Sequence, residues 1–194
     1  MSEEESKLEQ TTWLLERLGH LLRAEMRQGA QRHELKLVQL EALYYLSRAN
    51  RYSLTTLTVA DALALTKGTT SQTLKALVEK GFVERRSDKD DGRVVHHDLT
   101  PAGQRVVAEC YPVSALENLC QNHRGEDMNH LNKILTELLR SLQVEQGRVA
   151  FGVCNGCKYF GETAGGAVCG VTKEPLSKSD SLKICREFAL PTEA

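Results

Sequence analysis

The chain has 194 residues, 41% of them hydrophobic, and 25 Lys and Arg against 26 Asp and Glu give a formal net charge of −1 at pH 7. That size supports a buried core with a small appendage, and the balance excludes a polycation, so any nucleic-acid binding has to come from a local patch. No apolar run reaches bilayer-spanning length and the opening MSEEESK is acidic rather than a leader, so a cytoplasmic protein with no membrane association is expected, whose six cysteines are not a disulfide framework.

Leu8, Leu14, Leu15, Leu18, Leu21, Leu22 and Met26 predict a first helix over about residues 6–29. Leu37, Leu40, Leu43, Tyr44 and Leu46 predict a second over about residues 36–49. Thr58, with Asp61 three positions on, reads as an N-cap opening a short helix from Val59 to Leu65. Thr66-Lys67-Gly68 then turns the chain, and Thr66 caps a helix that buries Leu74, Leu77 and Val78 and leaves Thr69, Gln72, Thr73 and Lys75 outside. Gly81 closes that helix in a left-handed conformation. Phe82-Val83-Glu84-Arg85 starts a strand, the polar run Ser87 to Gly92 turns, and Arg93 to Leu99 returns, a two-stranded wing over about residues 82–99. From Lys67 to His97 there are seven basic residues against five acidic ones, a local excess of +2. Pro101 suits the first turn of a helix running to about Asn122 with a bend near Pro112. A last helix over about residues 127–146 spaces Met128, Leu131, Leu135, Leu138 and Leu142 by threes and fours, as at a helix–helix seam.

The series Gly81, Arg85, Asp88-Lys89-Asp90-Asp91-Gly92-Arg93, Leu99-Thr100 and Gly103 resembles the wing signature of MarR-family winged helix-turn-helix regulators. Lys89 stands where that family often has Pro, and Gly92 where it often has a second Arg. The resemblance covers about residues 5–148, and implies a mainly α fold with a small β-wing and a helical dimerisation region. It implies a sequence-specific transcriptional regulator, commonly a repressor, binding a pseudo-palindromic double-stranded DNA operator as a homodimer through its terminal helices. The alternative for the last helix is packing inside the monomer. A small aromatic effector is a further partner that some relatives imply.

Within that reading Thr69, Gln72 and Thr73 are candidates for base edges or groove-lining phosphates, and Lys67 and Lys75 for phosphate. Arg93 is the candidate minor-groove probe, with Arg85 and Arg86 at the base of the wing and Asp91 as a wing-shaping partner. His96 and His97 alternate across a strand, so at most one can face DNA.

Residues 1–148 form the regulator-like part, and residues 149–194 differ: Gly-rich, weakly periodic, with four of the six cysteines. Cys154-Asn-Gly-Cys157 is a C-x2-C knuckle, followed by Cys169 and Cys185, and no histidine follows His130. An all-thiolate centre that staples a segment poor in large apolar residues is therefore expected. One knuckle plus two isolated cysteines favours an iron–sulfur cluster; Cys169-Gly170 keeps zinc open. Gly156, Gly161, Gly165, Gly166 and Gly170 are expected to let backbone N–H groups approach the thiolates, and Tyr159, Phe160 and Phe188 to shield the centre. Cluster state is expected to alter operator affinity. Cys110 and Cys120 are expected as small buried hydrophobes, with a thiol-based peroxide switch as the sharper alternative.

The chain offers no phosphate-binding glycine loop, no G-x-S-x-G and no H-E-x-x-H, so an enzyme is not expected. The remaining alternatives are a regulator with a purely structural zinc tail that senses an aromatic ligand, an electron-transfer protein, and a zinc-stapled interaction adaptor.

Overall fold

Leu40, Leu43, Leu74 and Leu77 are at most 1% exposed and knit the middle of the chain into one core. The computed structural model describes residues 2–89, 91–147, 151–163 and 165–190. Helix α1, Glu3–Arg32, extends beyond the predicted span at both ends; at its start Ser2 and Glu5 form a capping box and three glutamates occupy the first turn. It buries only Gly29 and Ala30, leaving Leu8, Trp13, Leu14, Leu15, Leu18 and Leu21 exposed. Helix α2, Leu37–Arg48, buries Leu40, Leu43 and Leu46 as predicted; its inward tyrosine is Tyr45, whereas Tyr44 is turned out.

Helix α3 spans Thr56–Leu63, three residues earlier than expected at its start. Its cap is Thr55, which accepts from the Thr58 N–H at 3.3 Å, while the Thr58 hydroxyl accepts from the Thr55 N–H at 3.1 Å. Thr58 is thus the reciprocal partner in the box, and Asp61 takes no part in it. Two threonines three apart satisfy the same donors as a Thr/Glu pair, which is why the two starts look alike in sequence.

Helix α4, Lys67–Glu79, starts at Thr66 as predicted, with the Thr69 N–H donating to the Thr66 hydroxyl at 3.2 Å. Gly81 follows at φ +74°, and the chain turns into β1, Val83–Ser87, paired antiparallel with β2, Val95–Leu99, in the register Arg85 opposite His97 and Arg86 opposite His96. Helix α5, Pro101–Cys110, is capped by Thr100, whose hydroxyl also donates to the Gly81 carbonyl at 2.7 Å. The single bent helix expected here is two: α5 ends before Tyr111-Pro112 and α6 begins at Ser114 and ends at Asn122. Pro112 has no N–H and excludes helical backbone at Tyr111, so the path breaks instead of bending. Helix α7, Gly125–Glu145, has no buried residue at all. No helix among the described residues is long and apolar enough to cross a membrane.

Residues 151–190 hold short antiparallel pairs where little periodicity was legible. β3, Gly152–Val153, pairs with β7, Ile184–Cys185; β4, Phe160–Thr163, pairs with β5, Gly166–Cys169; and β5 pairs with β6, Pro175–Leu176. Phe151 and Ile184 pack against the core shared by α2, α4 and α5. The boundary read at residues 148 and 149 lies outside the described residues.

The Gly103 N–H donates to its Thr100 cap, and a Cβ at Gly103 would stand 2.2 Å from the Phe82 carbonyl oxygen. Gly103→Ala is therefore expected to cost about 1–3 kcal/mol in urea unfolding, as overpacking does. Gly19→Ala, on exposed α1 with nothing within 4 Å, is expected to stabilise by up to about 1 kcal/mol.

Candidate nucleic-acid interface and four-cysteine site

Helix α4 buries Thr70, Thr73, Leu74 and Leu77, the three-and-four spacing of one helical face. Thr73 is only 7% exposed, which corrects its expected outward position. Its place between Thr70 and Leu77 puts it on the core stripe despite its hydroxyl. Lys67, Thr69, Gln72 and Lys75 do face solvent, as expected, and Ser71 joins them. Thr69 shares its hydroxyl with the Thr66 cap at 2.9 Å, and Lys75 lies 3.8 Å from Glu79 on the open surface, a pairing worth little there. Ser71 was legible in principle: once the stripe is drawn through Thr70 and Thr73, the outer face reads Ser71, Gln72 and Lys75.

The wing is held by ion pairs of its own. Asp91 receives the Arg93 N–H at 3.0 Å and two guanidinium bonds at 3.0 Å, so Arg93 holds the Asp91 carboxyl below the ordinary carboxylate range. The Arg93 side chain is nevertheless 89% exposed. Asp88 accepts the Asp91 N–H at 3.1 Å and lies 2.7 Å from His96 Nε2, and the Asp88 N–H donates to the Val94 carbonyl at 2.9 Å. Arg86 donates to Asp98 across the ribbon at 2.8 Å, so its charge is shared with a neighbour, whereas Arg85 beside it is exposed at the wing base.

Both histidines are buried, His97 at the wall of a cleft beside α4. His97 Nε2 is 3.1 Å from the Thr56 hydroxyl, which ties the wing to the first turn of α3. Burial holds its pKa below the ordinary value, with Arg85 and His96 adding to the effect and Asp98 opposing it. Between α3, α4 and the wing lies a cleft of about 830 Å³, lined by Thr56, Ser71, Lys75, Arg85, Arg93 and, from the C-terminal segment, Arg186. No sequence signal singled out Arg186.

The cysteines form a second cluster. Cys154 follows β3 and Cys157 ends the short 3-10 turn Cys154–Gly156, while Cys169 ends β5 and Cys185 lies in β7. Burial pushes the Cys154 thiol up to about 11, and Cys185, Cys169 and Cys157 push it further the same way, so the four sulfurs lie near enough to repel as thiolates. Burial also raises Cys185, opposed by hydrogen bonds from the Asn50 side chain and the Glu187 N–H. At Cys169 burial is outweighed by the N–H and hydroxyl of Thr172, the Val171 N–H and the Lys173 charge, which hold the thiol below its ordinary value.

Cys157 accepts the Ala189 N–H at 3.4 Å. The N–H donors to sulfur named here thus belong to Val171, Thr172, Glu187 and Ala189, not to the glycines expected to supply them. Gly170 instead donates to the Tyr159 carbonyl at 2.7 Å. Phe188 is 6% exposed and lies against Gly152, whereas Tyr159 is 41% exposed and shields little. Among the described residues no group of three or more His, Cys, Asp or Glu side chains stands at metal-holding distances. The four thiols converge without closing to ligand spacing. Cys110 is buried as expected and burial raises its thiol; Cys120 is exposed on α6, against expectation.

Residues 33–94, from the end of α1 to the wing, match the sequence model of the MarR family. The S. aureus MepR structure in its DNA-binding conformation is 25% identical with a TM-score of 0.60, covering 69% of this chain and 98% of MepR. The S. aureus MepR–DNA complex is similar at 25% identity and a TM-score of 0.54, over 69% and 98% of the two chains. A MarR family transcription regulator, SP03579, is 20% identical with a TM-score of 0.60 over 74% of this chain and 95% of its own, a likeness of fold. No curated protein shows a significant sequence match. The chain has the mainly helical, β-winged fold of MarR regulators.

Because the folded state disfavours protonation of His97 and the unfolded chain titrates near 6.5, stability is full above that pH, and falls as pH drops below it towards the folded value. Urea unfolding across that range should show this slope in the wild type and lose it in His97→Gln.

Proposed function

We propose that this protein is a sequence-specific DNA-binding transcriptional regulator, acting as a homodimer on a pseudo-palindromic operator, with no catalytic role. The observation that carries the reading is the Thr66-capped α4, which presents Lys67, Thr69, Ser71, Gln72 and Lys75 beside a wing whose tip holds Arg93 exposed. A helix of this length enters a major groove while a wing arginine reaches the adjacent minor groove. The structures of MepR in its DNA-binding conformation and in complex with DNA support the same use of this fold.

The terminal helices supply the dimer in this reading. On α7, Leu131, Ile134, Leu135, Leu138, Leu139 and Leu142 are all at least 37% exposed. On α1, Leu14, Leu15, Leu18 and Leu21 are likewise exposed. Two such apolar faces bury each other in a second copy, and two half-sites one helical turn apart then engage two copies of α4. An open groove of about 530 Å³ beside Leu15, Leu22, Met26 and Glu41 gives a small aromatic effector a place near that interface.

We further propose that Cys154, Cys157, Cys169 and Cys185 hold a metal centre that tunes DNA affinity, an iron–sulfur cluster in preference to zinc. Four thiols that repel one another once ionised, with Cys157 accepting the Ala189 N–H, are the donor set a thiophilic cation needs, and the cation removes the repulsion. The lone C-x2-C knuckle is the argument for the cluster.

Arg93→Ala should weaken operator binding about tenfold and reduce the slope of log K against log salt by about 1, since one phosphate-seeking cation is lost. An unchanged slope in an anisotropy titration removes Arg93 from the interface. For the metal, anaerobic purification should give absorption near ~400 nm with iron and sulfide, whereas a colourless protein with about one zinc per chain selects zinc. Cys154→Ser or Cys185→Ser should abolish loading in metal analysis while DNA affinity shifts and does not vanish.

A further inference from the structure

Segment 49–56 is bonded on one side to the cysteine-bearing strand β7 and on the other to the wing strand β2. On the cysteine side, Ala49 forms a parallel bridge with Ile184, and the Asn50 N–H donates to the Ile184 carbonyl at 2.9 Å. The Asn50 side chain lies beside the Cys185 sulfur, and the Arg186 N–H donates to the Ser53 hydroxyl oxygen at 3.0 Å. Three consecutive residues of the C-terminal segment, the middle one a cysteine of the cluster, are thereby fixed to three positions of the α2–α3 corner. Arg186 also reaches Asp61 on α3 at 3.8 Å.

On the wing side, the His97 N–H donates to the Leu54 carbonyl at 2.7 Å, Thr55 bridges His96, and the Thr56 hydroxyl meets His97 Nε2. His96 continues to Asp88, whose carboxylate receives the Asp91 N–H beneath Arg93. Between the two sides stands Ser53, 0% exposed, whose carbonyl accepts from Tyr45 at 3.1 Å and Thr58 at 2.6 Å and whose N–H donates to Asn50 at 2.9 Å. Ser53, buried with its carbonyl, N–H and hydroxyl oxygen all bonded, couples the two edges, so a shift at one is felt at the other.

We propose that occupancy of the four-cysteine site is transmitted to the wing of the same chain through Asn50 and Ser53, which act as positioning residues. The proposal rests on the metal-responsive reading above and names its route: strand β7 to the α2–α3 corner to strand β2. It acts within one chain, on the reader itself, and needs no change in the distance between the two copies. Loading pulls the sulfurs to ligand spacing, β7 moves with Cys185, and Asn50 and Ser53 carry the shift to Leu54 through Thr56 and so to His96 and His97.

The test compares full-length protein stripped of metal with protein loaded with zinc(II) as the probe, for the wild type, Asn50→Ala and Ser53→Ala. Zinc stoichiometry, hydrogen exchange, and affinity for a duplex selected from a random pool by the wild type are measured on each. Zinc should slow exchange about tenfold both in residues 50–56 and in residues 94–99 of the wild type. Ser53→Ala and Asn50→Ala should still take up zinc while most of the gain at residues 94–99 is lost, together with the zinc effect on DNA affinity. If zinc protects residues 151–190 alone yet changes DNA affinity, or if both variants respond as the wild type does, this route is wrong while the metal-responsive reading stands. If neither zinc nor anaerobic reconstitution with iron and sulfide loads the protein, or if loading alters neither exchange nor affinity, both fall. The wild-type comparison needs no substitution, so a variant that fails to fold leaves the test intact.

Discussion

A serine with no exposed surface holds the molecule's parts in register. Burying an unpaired hydroxyl or carbonyl costs a few kcal/mol, so Ser53 fixes its surroundings by requiring partners. Those partners come from α2 (Tyr45), α3 (Thr58), the helix-connecting turn (Asn50) and the C-terminal segment (Arg186). The neighbouring Leu54 and Thr55 bind the wing. Burial pushes the Tyr45 phenol up to about 12, which keeps it a donor to Ser53 at any ordinary pH. Apolar packing of Leu40, Leu43, Leu74 and Leu77 makes the core, but apolar contacts tolerate sliding, and directional bonds set where the helices and strands stop.

Charge is used sparingly on the reading surface. Arg93 pairs with Asp91, Arg86 with Asp98 and His96 with Asp88, so the wing spends much of its charge on its own shape. The near-neutral net charge agrees with that: the local basic excess around α4 and the wing is small, and on the proposed function tight binding then calls for two copies acting together. The exposed apolar faces of α1 and α7 are consistent with this demand. On that proposal a module that is weak alone gains specificity from geometry, because both half-sites must be met at once.

The C-terminal segment is bonded into the winged-helix part instead of trailing from it. Phe151 meets Tyr45 edge-on with ring centroids 6.2 Å apart, Arg140 of α7 lies 5.8 Å from the Phe188 ring, and Arg51 pairs with Glu174. The C-terminal segment therefore touches both the helix-turn-helix corner and the long terminal helix. Contacts with Asn50, Ser53 and Asp61 join residues more than a hundred positions apart and carry no periodic signature, so the sequence did not announce them.

Local chemistry alone determined much of this protein. Thr66 as a cap, Gly81 at positive φ, Pro101 at a helix start and the two wing strands follow from backbone rules acting over a few residues, and the sequence shows them directly. The four cysteines announce themselves by spacing. What needed the tertiary structure was every choice between locally equivalent options: Thr55 over Thr58 as the cap, Tyr45 over Tyr44 as the inward ring, and Thr73 in the core with Ser71 outside. Each of those pairs differs by a few positions of helical phase, and the energy that separates them lies in partners distant along the chain. The attachment of Cys185 to Asn50 and of Arg186 to Ser53 lies wholly on that side, since hydrogen bonds between remote backbone segments leave no mark on either segment's composition.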